Sequence, residues 1–367
     1  MNAIYTDLLC LLSCAVNGVT PDTARVQSME PEKLYRLAKY HSVRGAVCIA
    51  LERAGVQNAQ FHQAYKKAVR KNIFLDTERA AILADFEQQG IWYMPLKGAV
   101  LKELYPENGM REMADCDVLY DAERQQDVQQ IMLSHGYTAE SIGNNHHDIY
   151  HKPPVLNFEL HTVLFGEDHA EPLRRYYADA KRLLQKDEDN GCGYHLSDED
   201  FYVYMTAHEW KHFSGSGTGI RSLLDCYVFC RCKGGTLDWD YITEQCRQLE
   251  IADFEQERRA LAVKVFSSDT LPALTDAETE MLLYYLTAGT YGTLENSVKK
   301  ELEGKSRLQF WREKIFLSRR EMALSVPFTA KSPLLYPAGF IYRCVRVLTK
   351  RRKLLRETAK AVKKYGK

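Results

Sequence analysis

Residues 95–120 read P-L-K-G-A-V-L-K-E-L-Y-P-E-N-G-M-R-E-M-A-D-C-D-V-L-Y, with Asp115 and Asp117 near the end of the segment. The apolar residues after Asp117 predict a buried strand, and side chains two positions apart share one face of a strand. Two carboxylates that point to one spot raise each other's pKa unless a cation neutralises them. Because carboxylates and substrate phosphates are the usual ligands of Mg²⁺, the pair indicates a magnesium site. The alternative is a turn at the start of the strand, in which both Asp residues only cap the backbone.

Lys97 and Gly98 lie upstream of this pair, where two patterns meet. The apolar segment 91–96 predicts a strand, and the apolar spacing in residues 99–105 predicts a helix. A junction of strand, glycine and helix presents free backbone N–H groups to an anion. Lys97 and the backbone at Gly98 are therefore predicted to contact phosphate.

These residues, in this order, resemble a motif of the nucleotidyltransferases of the DNA polymerase β superfamily. The resemblance is closest to a poorly characterised bacterial branch with Lys-Gly, then Arg, three residues, and Asp-x-Asp. The matching residues here are Lys97, Gly98, Arg111, Asp115 and Asp117. Two departures are that the usual Gly-Ser or Gly-Gly is Gly-Ala, and that the gap before the Asp pair is longer than is common.

The resemblance implies an α+β fold with a polymerase β-type palm, which is a small mixed sheet with helices, flanked by N-terminal and C-terminal helical regions. The sequence itself predicts short strands at 91–96, 118–120, 137–142, 148–152 and 155–161, the last three as a meander. We predict an N-terminal helical region at 1–89, the palm at 90–190, a helical domain at 191–326 and a basic tail or helix at 327–367.

The strand at 155–161 carries a third acidic residue. Its apolar residues alternate with Asn157, Glu159 and His161, which share the opposite face. Ordinary solvent exposure of that face would explain the alternation. The resemblance, however, implies a third carboxylate on a strand next to the Asp pair, and Glu159 falls where it is expected. Glu159 would then complete the metal site and accept the proton of the attacking hydroxyl, and His161 would orient it or contact the nucleotide.

The function implied by the resemblance is transfer of a nucleoside monophosphate from a nucleoside triphosphate to a hydroxyl acceptor, with release of pyrophosphate. Asp115, Asp117 and Glu159 would bind Mg²⁺ or Mn²⁺, while Lys97, the Gly98 backbone and Arg111 would neutralise the triphosphate. The acceptor could be a small molecule, a protein, a glycan or RNA. The alternative is a catalytically silent nucleotide-binding or scaffolding module, which is favoured if Glu159 turns away from the Asp pair.

A second motif, His208-Glu209-Trp210-Lys211-His212, matches H-E-x-x-H. In zinc proteases the two His residues of this motif bind zinc on one helical face and the Glu is the base. The third His of one such class is replaced here by Thr218. The motif keeps a zinc hydrolase open as a less favoured alternative.

The other interpretation of this region is a helical part of the transferase. Arg221 and Asp225 are four residues apart on a predicted helix and could pair. Together with His208 and His212 they would either contact substrate or form a buried polar network.

Three further histidines, His146, His147 and His151, lie upstream of Glu159. Imidazole groups suit transition metals, so a metal site is one interpretation. The preceding Gly-Asn-Asn is typical of a turn, which favours loop and edge-strand positions instead.

The composition is that of an ordinary globular protein, with 367 residues, 45% hydrophobic and 27% charged. The net charge is zero, but residues 340–367 carry eleven Lys or Arg against one acid, Glu357. Such a tail could contact an anionic membrane surface or RNA, or pack as a helix on the acidic remainder.

The chain has no pattern of a signal peptide, and no apolar run approaches the ~18 residues of a membrane span. Its ten cysteines lack the short paired spacings of a zinc ribbon. Reduced thiols and a cytoplasmic location are therefore expected.

Overall fold

The computed structural model describes residues 1–142, 147–167, 169–290 and 292–366. The described chain forms two compact units. The first comprises Met1–Lys211 and Gly219–Thr290, and the second comprises His212–Thr218 and the residues after position 291. The predicted domain boundaries near residues 89, 190 and 326 are not tested by this division into two units and stay a prediction.

Helices dominate the first unit. Those that begin in it are α1 (Ala3–Asn17), α2 (Thr23–Ser28), α3 (Pro31–Tyr40), α4 (Arg44–Arg53), α5 (Ala59–Gln88), α6 (Gly98–Leu101), α7 (Gln125–Ser134), α8 (Glu171–Tyr176), α9 (Asp198–Phe213), α10 (Ile220–Lys233), α11 (Trp239–Gln248), α12 (Ala252–Phe266) and α13 (Asp276–Ala288). Short 3₁₀ helices cover Lys102–Leu104, Ala122–Arg124 and Ala180–Leu183. The first five α-helices occupy the N-terminal region that the sequence predicts to be helical.

The strands that the structure describes belong to the first unit. They are β1 (Tyr93–Pro95), β2 (Cys116–Tyr120), β3 (Thr138–Ser141), β4 (His147–Lys152), β5 (Leu156–His161), β6 (Leu184–Lys186) and β7 (Tyr194–Leu196). The first five form one sheet in the order β1-β2-β5-β4-β3, and the last two form a separate hairpin. β2 and β5 are parallel, whereas the other neighbours in the large sheet are antiparallel.

This mixed sheet confirms the predicted α+β class and the meander of β3, β4 and β5. Each predicted strand overlaps one of β1–β5, although β2 begins two residues earlier than predicted, at Cys116. Gly136 has a φ of 79° just after α7, as expected of a glycine that ends a helix.

One face of the sheet packs on α5 and α7. The apolar core there includes Cys116, Val118 and Phe158 from the sheet, Ile82 from α5 and Val128 from α7. Because alternate residues of a strand point to opposite faces, the other face of β2 and β5 presents the residues between these positions. The core thereby fixes which side chains face the site.

The second unit contains α14 (Leu294–Glu301), α15 (Arg307–Ile315), α16 (Arg319–Ser325), α17 (Tyr336–Lys350) and α18 (Arg352–Tyr365), with 3₁₀ helices at Pro327–Lys331 and Pro333–Leu335. Its small core joins Val298 of α14 and Leu302, which caps that helix, to Phe310, Ala361 and Val362. The predicted basic helix is thus two helices.

One face of α17 is both apolar and exposed. Ile341, Val345 and Leu348 recur at helical spacing and are 63%, 55% and 55% exposed. Among the described residues, no helix combines the length and the apolar character that crossing a bilayer requires. The partner of this region stays a prediction.

Candidate functional site

The two central strands bring the predicted acidic residues to one face of the sheet. In the parallel register of β2 and β5, Asp117 lies opposite Glu159. Asp115 directly precedes β2, and His161 lies two residues beyond Glu159 on β5. Residues two apart share a face, so all four side chains lie on the face opposite the apolar core.

Asp117 is the buried centre of this group. Its Oδ1 accepts hydrogen bonds from Lys97 Nζ at 2.7 Å and from His161 Nε2 at 2.8 Å. Burial alone would raise the pKa of Asp117, but the Lys97 ammonium and the His161 ring hold that pKa below its usual range. Asp117 is therefore ionised at neutral pH. Burial, together with the Lys97 charge, lowers the pKa of His161 to about 4, so the ring is neutral.

The pKa values of the other two carboxylates, Glu159 and Asp115, are shifted in the opposite direction. Burial raises the pKa of Glu159, and the Asp117 and Asp115 charges raise it further, to about 7. Burial and the Asp117 charge also raise the pKa of Asp115. This is the conflict that a divalent cation relieves, because the cation favours the ionised form of all three. The donor set fits a hard divalent ion, whose preferred ligands are oxygens.

Lys97 occupies an unusual backbone conformation between β1 and α6. Its φ is 44° and its ψ is −111°, a region that residues other than glycine rarely adopt. The neighbouring Leu96 N–H donates to the Asp117 carbonyl at 3.0 Å, which ties the segment to β2. Strained residues of this kind cluster at functional sites, where surrounding contacts hold them in place.

Gly98 follows at a position with no room for a side chain. A Cβ there would lie 2.6 Å from both Arg111 Nη1 and Met113 Cε. The predicted role of Gly98 was a close approach of its backbone to phosphate. The structure adds a packing reason, since the glycine lets the Arg111 side chain pass beneath the segment.

Arg111 is buried, and its guanidinium binds Asp225 of α10. Nε donates to Asp225 Oδ1 at 2.8 Å, Nη2 donates to Oδ2 at 2.9 Å, and the Tyr105 hydroxyl donates to Oδ1 at 2.7 Å. Arg221, which the sequence suggested as a possible partner of Asp225, donates to the Glu112 carbonyl at 3.0 Å. The two-pronged guanidinium of Arg111 matches both carboxylate oxygens, so Arg111 anchors its loop to α10.

The H-E-x-x-H motif lies on α9, and its glutamate is buried and paired. Glu209 is buried and accepts hydrogen bonds from Arg258 Nη1 at 2.8 Å and from the Tyr285 hydroxyl at 2.6 Å. A base must be accessible to its substrate, so the burial of Glu209 and these contacts argue against the base role that a zinc hydrolase requires. His208 lies in the first unit with Glu209, whereas His212 belongs to the second.

The three upstream histidines have different surroundings. His147 begins β4 directly opposite His161, and its Nε2 lies 3.7 Å from Glu159 Oε2. His151, four residues later, pairs with Glu140. His146 lies outside the described residues. The sequence favoured loop and edge positions for this cluster, but His147 lies beside the acidic group.

Other residues near the site gave no signal in the sequence. Tyr204 of α9 is buried near Lys97, Asp117 and Glu159. Burial raises the pKa of its hydroxyl, and the charges of Asp117 and Glu159 raise that pKa further. Lys71 of α5 donates to the Ala114 carbonyl at 2.6 Å and favours the ionised form of Asp115. Both come from helices distant in sequence, so no local pattern could have indicated them.

Comparison with known families agrees with this geometry. The model of a family described as "uncharacterised nucleotidyltransferase" matches residues 27–267, which include every residue of the acidic site. The chain belongs to this nucleotidyltransferase family. Searches of curated proteins and of solved structures gave no match.

Proposed function

We propose that the protein is a metal-dependent nucleotidyltransferase with a palm of the DNA polymerase β type, from a bacterial branch of that superfamily. In the proposed reaction the hydroxyl oxygen of an acceptor attacks the α-phosphorus of a nucleoside triphosphate. The bond from the α-phosphorus to the oxygen that bridges it to the β-phosphate breaks, and pyrophosphate leaves. The hydroxyl proton passes to the Glu159 carboxylate.

Asp115, Asp117 and Glu159 would hold Mg²⁺ or Mn²⁺. When bound, such an ion supplies charge stabilisation for the α-phosphate and for the attacking and leaving oxygens. The fit is supported by three carboxylates on one face, two of which have raised pKa values in the free protein.

Glu159 is the proposed general base. In the metal-free protein, burial and two acidic neighbours raise the pKa of Glu159 to about 7; a bound cation would lower that pKa and keep the carboxylate in the ionised form that accepts a proton. The side chain is 25% exposed, so an acceptor hydroxyl can reach it. His161 is proposed to orient Asp117 through the 2.8 Å hydrogen bond between them.

Lys97 and the backbone at Gly98 are the proposed contacts of the triphosphate. The Lys97 side chain is 19% exposed, and its ammonium has three N–H groups, so it can bind a phosphate while it keeps its bond to Asp117. Arg111 was also expected to neutralise phosphate. Because Asp225 already occupies its guanidinium, we propose that Arg111 acts by holding the Gly98 segment in position.

The observation that carries the proposal is the placement of Asp117 opposite Glu159, with Lys97 bound to Asp117. This combination joins a candidate metal site to a candidate phosphate contact. Family membership supports the same class of reaction.

The test is Mg²⁺-dependent binding of each of the four nucleoside triphosphates, followed by pyrophosphate release with candidate acceptors. Wild type is compared with Asp115→Asn/Asp117→Asn and with the control Asp121→Asn, an acid just beyond the other end of β2. We expect Mg²⁺-dependent binding in wild type and control, and its loss in the double variant. Folded wild type that binds no triphosphate would instead favour the catalytically silent scaffold.

We also propose a cytoplasmic location and a contact of residues 340–367 with an anionic surface. The exposed apolar residues on α17 favour a lipid surface over RNA, since RNA offers no apolar layer for them. Sedimentation with anionic vesicles, compared with neutral vesicles and with RNA, tests this contact. Binding to RNA alone would contradict the preference for lipid.

A further inference from the structure

His147 and His161 are directly opposite each other on the antiparallel strands β4 and β5. Opposite residues on such strands have side chains on the same face and within contact distance. The centres of the two imidazole rings lie 5.0 Å apart. Glu159 is on the same face, two residues before His161. Two imidazoles and one carboxylate therefore converge beside the acidic pair.

The spacing of these three side chains matches a metal site. Glu159 Oε2 lies 3.7 Å from His147 Nε2 and 3.9 Å from His161 Nε2. One ligand atom from each of the three residues lies within 4.8 Å of those of the other two. Ligands bound at about 2.1 Å around one tetrahedral ion are about 3.4 Å apart, so small side-chain movements would close the site.

The chemistry of the three donors selects a class of ion. Mg²⁺ prefers oxygen ligands, whereas neutral imidazole suits zinc, nickel, copper and iron. Two histidines with one carboxylate form a set that catalytic zinc sites use, with a fourth position open. Ligation through His161 Nε2 would replace its hydrogen bond to Asp117, which would keep Lys97 as partner.

We propose that His147, Glu159 and His161 bind a divalent transition-metal ion of the zinc class, beside the carboxylate site and sharing Glu159 with it. The site needs no nucleotide, because all its ligands belong to the chain. It goes beyond the transferase proposal, in which the metal ligands are the three carboxylates alone. Because Glu159 is shared, the zinc-class ion would compete with Mg²⁺ for that residue.

A second group of three possible metal ligands makes a control variant necessary. Cys48, Glu52 and His62, on α4 and α5, also lie within 4.8 Å of one another. Zinc bound there would mimic the proposed site in a simple titration. His62→Ala removes a histidine from that group and leaves β4 and β5 unchanged.

The experiment titrates the metal-free full-length protein with Zn²⁺ and, separately, with Mg²⁺, and repeats the titration with Co²⁺ to record its visible spectrum. The variants are His147→Ala, His147→Gln, His62→Ala and His151→Ala, the last on the same strand as His147. Thermal unfolding curves establish that each variant is folded.

We expect both His147 variants to weaken Zn²⁺ binding about tenfold or more and to change the Co²⁺ spectrum, as loss of a ligand requires. Mg²⁺ binding should stay within about twofold in them, and His151→Ala should bind Zn²⁺ like wild type. If Zn²⁺ affinity falls in His62→Ala and not in folded His147 variants, the proposal is overturned. Zn²⁺ binding no tighter than Mg²⁺ binding would overturn it as well.

Failure of this inference can be separated from failure of the transferase proposal. Loss of the zinc site with intact Mg²⁺-triphosphate binding would leave the transferase proposal standing. An intact zinc site in a protein that binds no triphosphate would support the zinc-class site and contradict the transferase proposal.

Discussion

Asp117 on β2 and Glu159 on β5 face each other across two parallel strands, and Lys97 donates its ammonium hydrogen bond to Asp117. The two carboxylates therefore behave differently, although they share one face. Asp117 is held ionised, whereas burial and its acidic neighbours raise the pKa of Glu159 to about 7. This difference suits a metal ligand and a proton acceptor, respectively.

The stability of the metal-free protein should fall as pH rises through the titration of Glu159. Its pKa is about 7 in the folded state against an ordinary value of 4.5, so the folded state holds an extra proton between these values. Stability from this group is thus lost from about pH 4.5 to 7, by at most about 3 kcal/mol. Urea unfolding in EDTA at several pH values measures the slope.

Glu159→Gln should remove this part of the slope and stabilise the metal-free protein at pH 8. Adding Mg²⁺ to wild type should also reduce the slope, because the cation favours the carboxylate. An unchanged slope in Glu159→Gln would mean that another group is responsible.

The Arg111–Asp225 pair should contribute to folding more than to nucleotide binding. Arg111→Ala removes two hydrogen bonds from the buried Asp225 carboxylate and leaves it the bond from Tyr105, which should cost about 3–5 kcal/mol. Arg111→Met/Asp225→Leu should recover most of that loss, because it leaves no buried charge from this pair. Urea denaturation gives these values.

The double variant also separates the two roles of Arg111. If packing of Met at position 111 is enough to hold the Gly98 segment, the folded double variant should still bind Mg²⁺-triphosphate. A well-folded double variant that no longer binds it would show that the Arg111 guanidinium itself is required, for positioning or for contact with phosphate.

Gly98→Ala should disturb the site locally. The new Cβ would lie 2.6 Å from Arg111 Nη1, which Asp225 prevents from moving away. We expect a loss of about 1–3 kcal/mol in stability and weaker triphosphate binding. Gly235→Ala is the matched control, since no atom of the described residues lies within 4 Å of the place that its new methyl group would take. A Gly98→Ala protein with wild-type binding would show that the segment adapts.

Glu209 should behave as a structural residue. Glu209→Ala leaves the fully buried Arg258 without its carboxylate and should cost about 3–5 kcal/mol by urea denaturation. Glu257→Ala, at an exposed position of α12 beside Arg258, should change stability by less than about 0.5 kcal/mol. If Glu209→Ala were as stable as wild type, its carboxylate would be available for the base role of the zinc-protease motif.

Local patterns in the sequence predicted the sheet well. Alternation and buried apolar runs located β1–β5, because the periodicity of a strand is visible in its own short stretch of sequence. The same periodicity placed Asp115, Asp117, Glu159 and His161 on the polar face. That part of the candidate site could be predicted because it depends only on which residues of a single strand share a face.

The partners of these residues were harder to predict. Asp225 and Arg111 are separated by 114 positions, and the sequence suggested only Arg221 as a possible partner of Asp225. His147 faces His161 only through the pairing of β4 with β5. Such contacts depend on how whole helices and strands pack together. A local stretch of sequence does not show that packing.

The backbone of Lys97 has a consequence for which residues position 97 can accept. A non-glycine residue at φ 44° costs about 1–3 kcal/mol, which Lys97→Gly would relieve while removing the ammonium from Asp117. Loss of that partner from the buried Asp117 carboxylate costs about 3–5 kcal/mol, which exceeds the relief. One ammonium therefore compensates the backbone strain and also stands ready for phosphate, so the folding of this turn and its chemistry depend on the same side chain.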